Sequence, residues 1–145
     1  LSLLISCGYK PSNQKNNNLV YLQNIEIIGE QRISYILKNN ILLVSNKDSK
    51  NRYAAKIEIV KKKKDKFKNK NGKILRYNLA LNTDLELTNL QNNTKVIKTF
   101  SRDANYEVAT IHSDTIKNEN NVTKNLIQQI SDDIVNFLNI LMRNK

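Results

Sequence analysis

Tryptophan is absent from this chain of 145 residues, cysteine, proline, histidine and methionine occur once each, and glycine occurs three times. A single cysteine excludes a disulfide scaffold and a paired-cysteine zinc site, and three scattered glycines exclude a glycine-rich nucleotide cradle. Most enzyme templates go with them. Long apolar runs are also missing, since the opening Leu1-Ser2-Leu3-Leu4-Ile5 stretch falls far short of the roughly 20 residues needed to span a bilayer. Acidic residues are few beside basic ones, 13 against 24, for a formal net charge of +11.

What remains suffices for one folded domain. A chain of about 150 residues buries roughly 68–70% of the surface its unfolded form exposes, and 39% hydrophobic residues can fill that interior. Disorder throughout is therefore not expected. The charge points toward polyanions, either nucleic acid or an anionic membrane surface. About two dozen Asn, nineteen Lys and many Ile also suggest a codon bias toward A and T, so part of the charge reflects drift.

The apolar opening ends in Ser6, and the next residue is the only cysteine, Cys7. An apolar run closed by a small residue is how a secretory signal peptide ends, and Leu4-Ile5-Ser6-Cys7 resembles the lipobox of bacterial lipoproteins, in which the cysteine becomes the lipidated first residue of the mature chain. Each buried methylene of an attached acyl chain contributes about 0.8 kcal/mol, and one chain alone holds only marginally; several make a lasting anchor. The other reading of Cys7 is a small buried residue in an apolar strand. Residues 1–6 are thus expected to be the tail of a signal peptide and 7–18 a lipidated start with a polar tether, Lys10 to Asn18, leaving 19–145 as the domain. By analogy with other lipoproteins, Gly8, where an Asp would favour inner-membrane retention, points to the outer membrane.

Along the domain, β-branched and apolar residues from Val20 to Ile28 predict a strand ended by Gly29. Ile33, Ile36, Leu37, Ile41 and Val44 recur at helical spacing and predict a helix from Glu30 through Asn46. Tyr53, Ala55, Ile57 and Ile59 alternate with polar neighbours as in a half-buried strand. A third strand carries Leu75, Tyr77, Leu79, Leu81, Thr83, Leu85 and Leu87 on one face, after a turn at Asn71-Gly72. A fourth strand runs from Lys95 to about Val108 after a turn at Asn92-Asn93. Ser113 or Asp114 could cap a last helix, with the run Asn118 to Asn121 delaying it. From Val122 the apolar stripe Leu126, Ile130, Ile134, Phe137, Leu138 and Leu141 is long. The order βαβββα predicts an α+β fold: a four-stranded mixed sheet with two helices packed on one face and the other face polar.

Chemistry is sparse. His112 has no partner for a metal pair, Asp132-Asp133 sit at adjacent helical positions that do not face each other, and Ser101, Arg102 and Asp103 lack nucleophile-elbow glycines. No catalytic constellation assembles, no cofactor or metal is expected, and the protein is read as a non-enzyme. The concentrated feature is basic: Lys61, Lys62, Lys63, Lys64, Lys66, Lys68, Lys70 and Lys73, with Arg76 just beyond, which would decorate both arms of a hairpin tip. Such lysines can serve solubility, by guarding an edge against aggregation, or bind phosphates. A single-strand nucleic-acid binder would interleave stacking aromatics with the charge, and Phe67 stands alone in the run. The export signal favours phosphate-bearing lipid instead.

Taken together, these residues resemble the LPS-assembly lipoprotein LptE family of Gram-negative bacteria. The resemblance runs through Cys7-Gly8-Tyr9-Lys10-Pro11, Ile25, Ile27 and Ile28, Gln31-Arg32, Arg52-Tyr53, Arg76-Tyr77-Asn78-Leu79, Tyr106, and Asp132, Ile134 and Leu138. It implies two helices against a four-stranded sheet, and an outer-membrane lipoprotein that plugs the β-barrel LptD, assists its assembly and contacts lipopolysaccharide. The lipopolysaccharide-binding residues it implies, by location and charge, are Lys61, Lys62, Lys63, Lys64, Lys66 and Arg76. Expected partners are thus an LptD-type barrel, lipopolysaccharide and, through Cys7, the outer membrane at its periplasmic face; nucleic acid is not among them. The competing readings are a soluble basic nucleic-acid-binding domain and an outer-membrane lipoprotein of another structural role. Compared with the family, this chain has denser lysine and an Asn-rich entry to its last helix.

Overall fold

The computed structural model describes residues 20–144; Cys7 and the tether expected from Lys10 to Asn18 lie outside the described residues. The elements are β1 (Tyr21–Ile28), α1 (Gln31–Leu42), β2 (Arg52–Lys68), β3 (Ile74–Asn89), β4 (Lys95–Glu107) and α2 (His112–Arg143). The order is the expected βαβββα. The sheet runs β1-β2-β3-β4, with β1 parallel to β2 and the remaining pairs antiparallel. A parallel pair needs a crossover, and α1 is that crossover.

Both helices cover one face. The side chains Ile33, Leu37 and Ile41 of α1 and Leu126, Ile127, Ile130, Ile134 and Leu138 of α2 are buried with Tyr53, Ile57, Ile59, Leu79, Leu81, Leu85 and Leu87 of the sheet. These are the alternate positions that the period-two pattern assigned to the inner face. The Phe100 and Phe137 rings meet edge to face at 6.0 Å and pack the β4 margin against α2.

Three boundaries differ from the sequence expectation. The first helix stops at Leu42 rather than Asn46, because the segment after it pairs with the start of β1. Asn46 N–H donates to the Val20 carbonyl at 2.9 Å, and Leu22 N–H donates to Ser45 Oγ at 2.9 Å. The second strand continues nine residues past Ile59, to Lys68, because the long alternating β3 supplies a ladder that holds lysines in extended backbone. The lysine run is therefore largely strand and not the arms of a short tip.

The last helix begins at His112 and runs without interruption through the Asn118 to Asn121 stretch; neither Ser113 nor Asp114 caps it. Side-chain bonds along its first turns compensate for poor helix formers. Thr115 Oγ1 accepts from Ala109 N–H at 2.9 Å, Asn118 Nδ2 donates to the Glu107 carbonyl at 3.1 Å, and Thr123 Oγ1 donates to the Glu119 carbonyl at 2.8 Å. No described helix is long and apolar enough to cross a membrane.

Candidate functional site

The apolar row on the inner face of β2 ends at Ile59, and the next inner positions are Lys61 and Lys63. Strand alternation sends Lys62 and Lys64 to the opposite, open face. The register bulges between Asp65 and Phe67, placing Phe67 opposite Arg76. The six residues assigned to lipopolysaccharide contact are thus divided between two environments.

On the inner side the cations are already occupied. Lys61 Nζ lies 3.0 Å from Glu30 Oε2, just ahead of α1, and 3.9 Å from Glu119 Oε1 on α2. Lys63 Nζ donates to Glu119 Oε2 at 2.8 Å, and the Tyr106 hydroxyl donates to the same oxygen at 2.7 Å. The Lys63 ammonium also stands over the Tyr77 ring, 4.3 Å from its centre, and that ring stacks with Tyr106 at 5.5 Å. Burial works against the charged Lys63, but hydrogen bonds to Glu119 and Tyr106 outweigh it and hold its pKa above the ordinary value. Burial likewise pushes the Glu119 carboxyl up, yet bonds from Lys63 and Tyr106 bring it below its ordinary value. Burial pushes the Tyr106 phenol up to about 12, partly opposed by Lys63. Glu119 thus ties the start of α2 to β2 and β4. It lies within the Asn118 to Asn121 run expected to delay the last helix, and a lone acid opposite alternate lysines was the available signal.

The open face presents Lys62 and Lys64, and Lys66 is exposed at the bulge; none of the three has a carboxylate partner among the described residues. Arg76 differs, because its Nε donates to Glu107 Oε1 at 2.6 Å. Beside them a cross-strand ladder of polar pairs covers β3 and β4. Asn78 Nδ2 donates to Asp103 and Asn105 at 2.9 Å each, Ser101 Oγ to Asn82 Oδ1 at 2.6 Å, Thr99 Oγ1 to Asp84 at 2.6 Å, and Lys95 Nζ to Glu86 at 2.9 Å. Such pairs let one face of a sheet stay wet while the other is dry.

The remaining candidate residues are dispersed. His112 is exposed at the first position of α2. Ser101 and Asp103 point to the open face, whereas Arg102 turns inward and grips Asp133 with two bonds of 2.7 Å each. Asp133 is therefore an ion-pair partner and not merely part of a solvated helix face; Asp132 accepts from Gln128 at 3.0 Å. The hydrogen bond from Arg102 holds the Asp133 carboxyl below its ordinary value. Among the described residues, no group of three His, Cys, Asp or Glu could hold a metal ion. A cleft between Glu30, Lys61, Asn120 and Lys124 measures about 40 Å³, room for a few waters and far below the size of a ligand pocket.

No family model matches the chain, and no curated protein matches it in sequence. Its fold does match solved structures. Rare lipoprotein B from Shewanella oneidensis superposes with a TM-score of 0.65 at 10% identity, over 83% of this chain and 97% of that one. A putative lipoprotein from Caulobacter crescentus gives 0.58 at 17% identity, over 83% and 92%, and a minor lipoprotein from Acinetobacter baumannii gives 0.53 at 15%, over 81% and 92%. The chain accordingly has the fold of solved bacterial lipoproteins.

Proposed function

We propose that this protein is a non-enzymatic outer-membrane lipoprotein, anchored through Cys7 at the periplasmic face, that plugs an LptD-type β-barrel and assists its assembly in lipopolysaccharide transport. The observation that carries the reading is the asymmetry of the sheet: one face is sealed by two helices and the other is a self-paired polar surface suited to the polar interior of a large barrel. The fold likeness to bacterial lipoproteins and the Leu4-Ile5-Ser6-Cys7 sequence support it. Lipopolysaccharide contact is assigned to Lys62, Lys64 and Lys66, whose ammonium groups have no carboxylate partner among the described residues, while Lys61, Lys63 and Arg76 are held by Glu30, Glu119 and Glu107.

Extraction of the full chain from its membrane in mild detergent tests the role: a large β-barrel should co-purify, and its absence would sink the plug assignment. Cys7→Ala should abolish labelling by a radioactive fatty acid; persistent label would remove the anchor. Replacing Lys62, Lys64 and Lys66 by Gln should weaken lipopolysaccharide binding in a titration, and an unchanged titration would assign these lysines to solubility.

A further inference from the structure

β1 pairs with β2 only as far as Ile28 opposite Glu58, whereas β2 continues to Lys68. The chain leaves the sheet at Gly29, so among the described residues no strand pairs with the β1 side of β2 beyond that point. Its backbone polarity follows from two bonds. Tyr21 N–H donates to the Asn51 carbonyl, toward β1, and Leu90 N–H donates to the Arg52 carbonyl, toward β3. The register with β3 holds without a break from Tyr53 to Asp65, and the antiparallel ladder alternates strictly. The N–H and C=O groups of Lys61, Lys63 and Asp65 therefore point to the uncovered side, where no backbone bond meets them among the described residues. Lys62 and Lys64 spend theirs on β3 and place ammonium groups with no carboxylate partner among the described residues on the open face beside that edge.

The geometry points to the β2 edge from Lys61 to Asp65 as a docking site for an extended acidic segment of a protein partner, added as a further strand. This edge offers about 13 Å of ladder at roughly 3.3 Å per residue, and main-chain bonds would supply the attachment. Charge complementarity selects the occupant. Every second residue of an added strand would stand beside Lys62 and Lys64, where a carboxylate is favoured. The inner-facing residues meet Lys61 and Lys63, already paired with Glu30 and Glu119, so acids are needed on one side of the strand only. A second copy of the chain would bring lysine against lysine. The same charges that protect the edge from self-association thus admit an acidic strand and reject a basic one. This site stands whether or not the protein occupies a barrel.

The test uses the full chain and a short peptide alternating glutamate with threonine, titrated to millimolar concentration and read by amide hydrogen exchange. Binding should slow exchange at Lys61 and Lys63. Methylating alternate backbone nitrogens of the peptide should cost roughly tenfold or more in affinity, as should Lys62→Glu together with Lys64→Glu. No added protection at millimolar peptide, or equal binding of the methylated peptide, would overturn the strand assignment, the latter leaving only charge attraction. Equal protection of both amides by lipopolysaccharide vesicles would hand the edge to phosphate, and concentration-dependent protection without peptide would hand it to a second copy; either result overturns the proposal.

Discussion

Lys63 and Lys64 are sequence neighbours of identical chemistry, yet one is paired with Glu119 of a helix and the other has no ion-pair partner among the described residues. The difference is one residue of strand alternation. Lys63 finds Glu119, Tyr77 and Tyr106 and serves to hold α2 in place; Lys64 has no charged partner among the described residues. The same contrast separates the two sides of the whole sheet. On the helix side, burial makes each group depend on its neighbours; on the open side, polar pairs are exposed and nearly independent. A charge run therefore has to be read face by face before its members are assigned a common role.

The largest expected effect lies in the dry layer. Ile57→Ala, at a fully buried position between Ile27 and Leu85, should cost about 2–5 kcal/mol in urea unfolding. Asn82→Ala on the open face should stay within about 0.5 kcal/mol; comparable losses would break the contrast. Next comes Gly29→Ala, where φ is 157° and an added Cβ would lie 2.6 Å from the Ile59 carbonyl oxygen. A cost of about 1–3 kcal/mol is expected, and neutrality would mean that the exit from β1 is loosely held.

Glu119→Gln should cost about 1 kcal/mol, because the pairs it disrupts are partly exposed. Its pH signature is more specific. The Glu119 carboxyl titrates below its ordinary value when folded, so its contribution is complete above the unfolded value of about 4.3 and fades as pH falls through the lower folded value. Wild type and variant should thus differ most near neutrality and converge in acid; a difference that grows in acid would refute the ion-pair account. The smallest effect is expected at Lys64→Gln, within about 0.5 kcal/mol of wild type, against a measurable loss for Lys63→Gln in the same denaturation series.

Much of the fold is legible from side-chain periodicity alone. The row from Leu75 to Leu87 names the inner face of β3, and the Leu126, Ile130, Ile134 stripe names the inner face of α2, because burial selects apolar residues at the period of each element. Boundaries held by pairing are less legible. The lysines of β2 are strand because β3 is opposite, and the Asn-rich turns of α2 are helix because Glu119, Asn118 and Thr115 bond to groups distant from their own turn. The candidate basic site was legible as composition, but its division between two faces was not, since the hairpin reading placed the lysines outside the strand.

The amino-acid sequence by itself determined the element order, the inward face of each main element, the single thiol at Cys7 and the dense positive charge from Lys61 to Lys73. These follow from local period and composition, which need no knowledge of neighbours. Only the tertiary structure decided which lysines are spent on Glu30 and Glu119, and only it left the β2 edge without a strand partner past Ile28 among the described residues. Both depend on where strands end relative to one another, and register is a property of pairs of strands that no single segment carries.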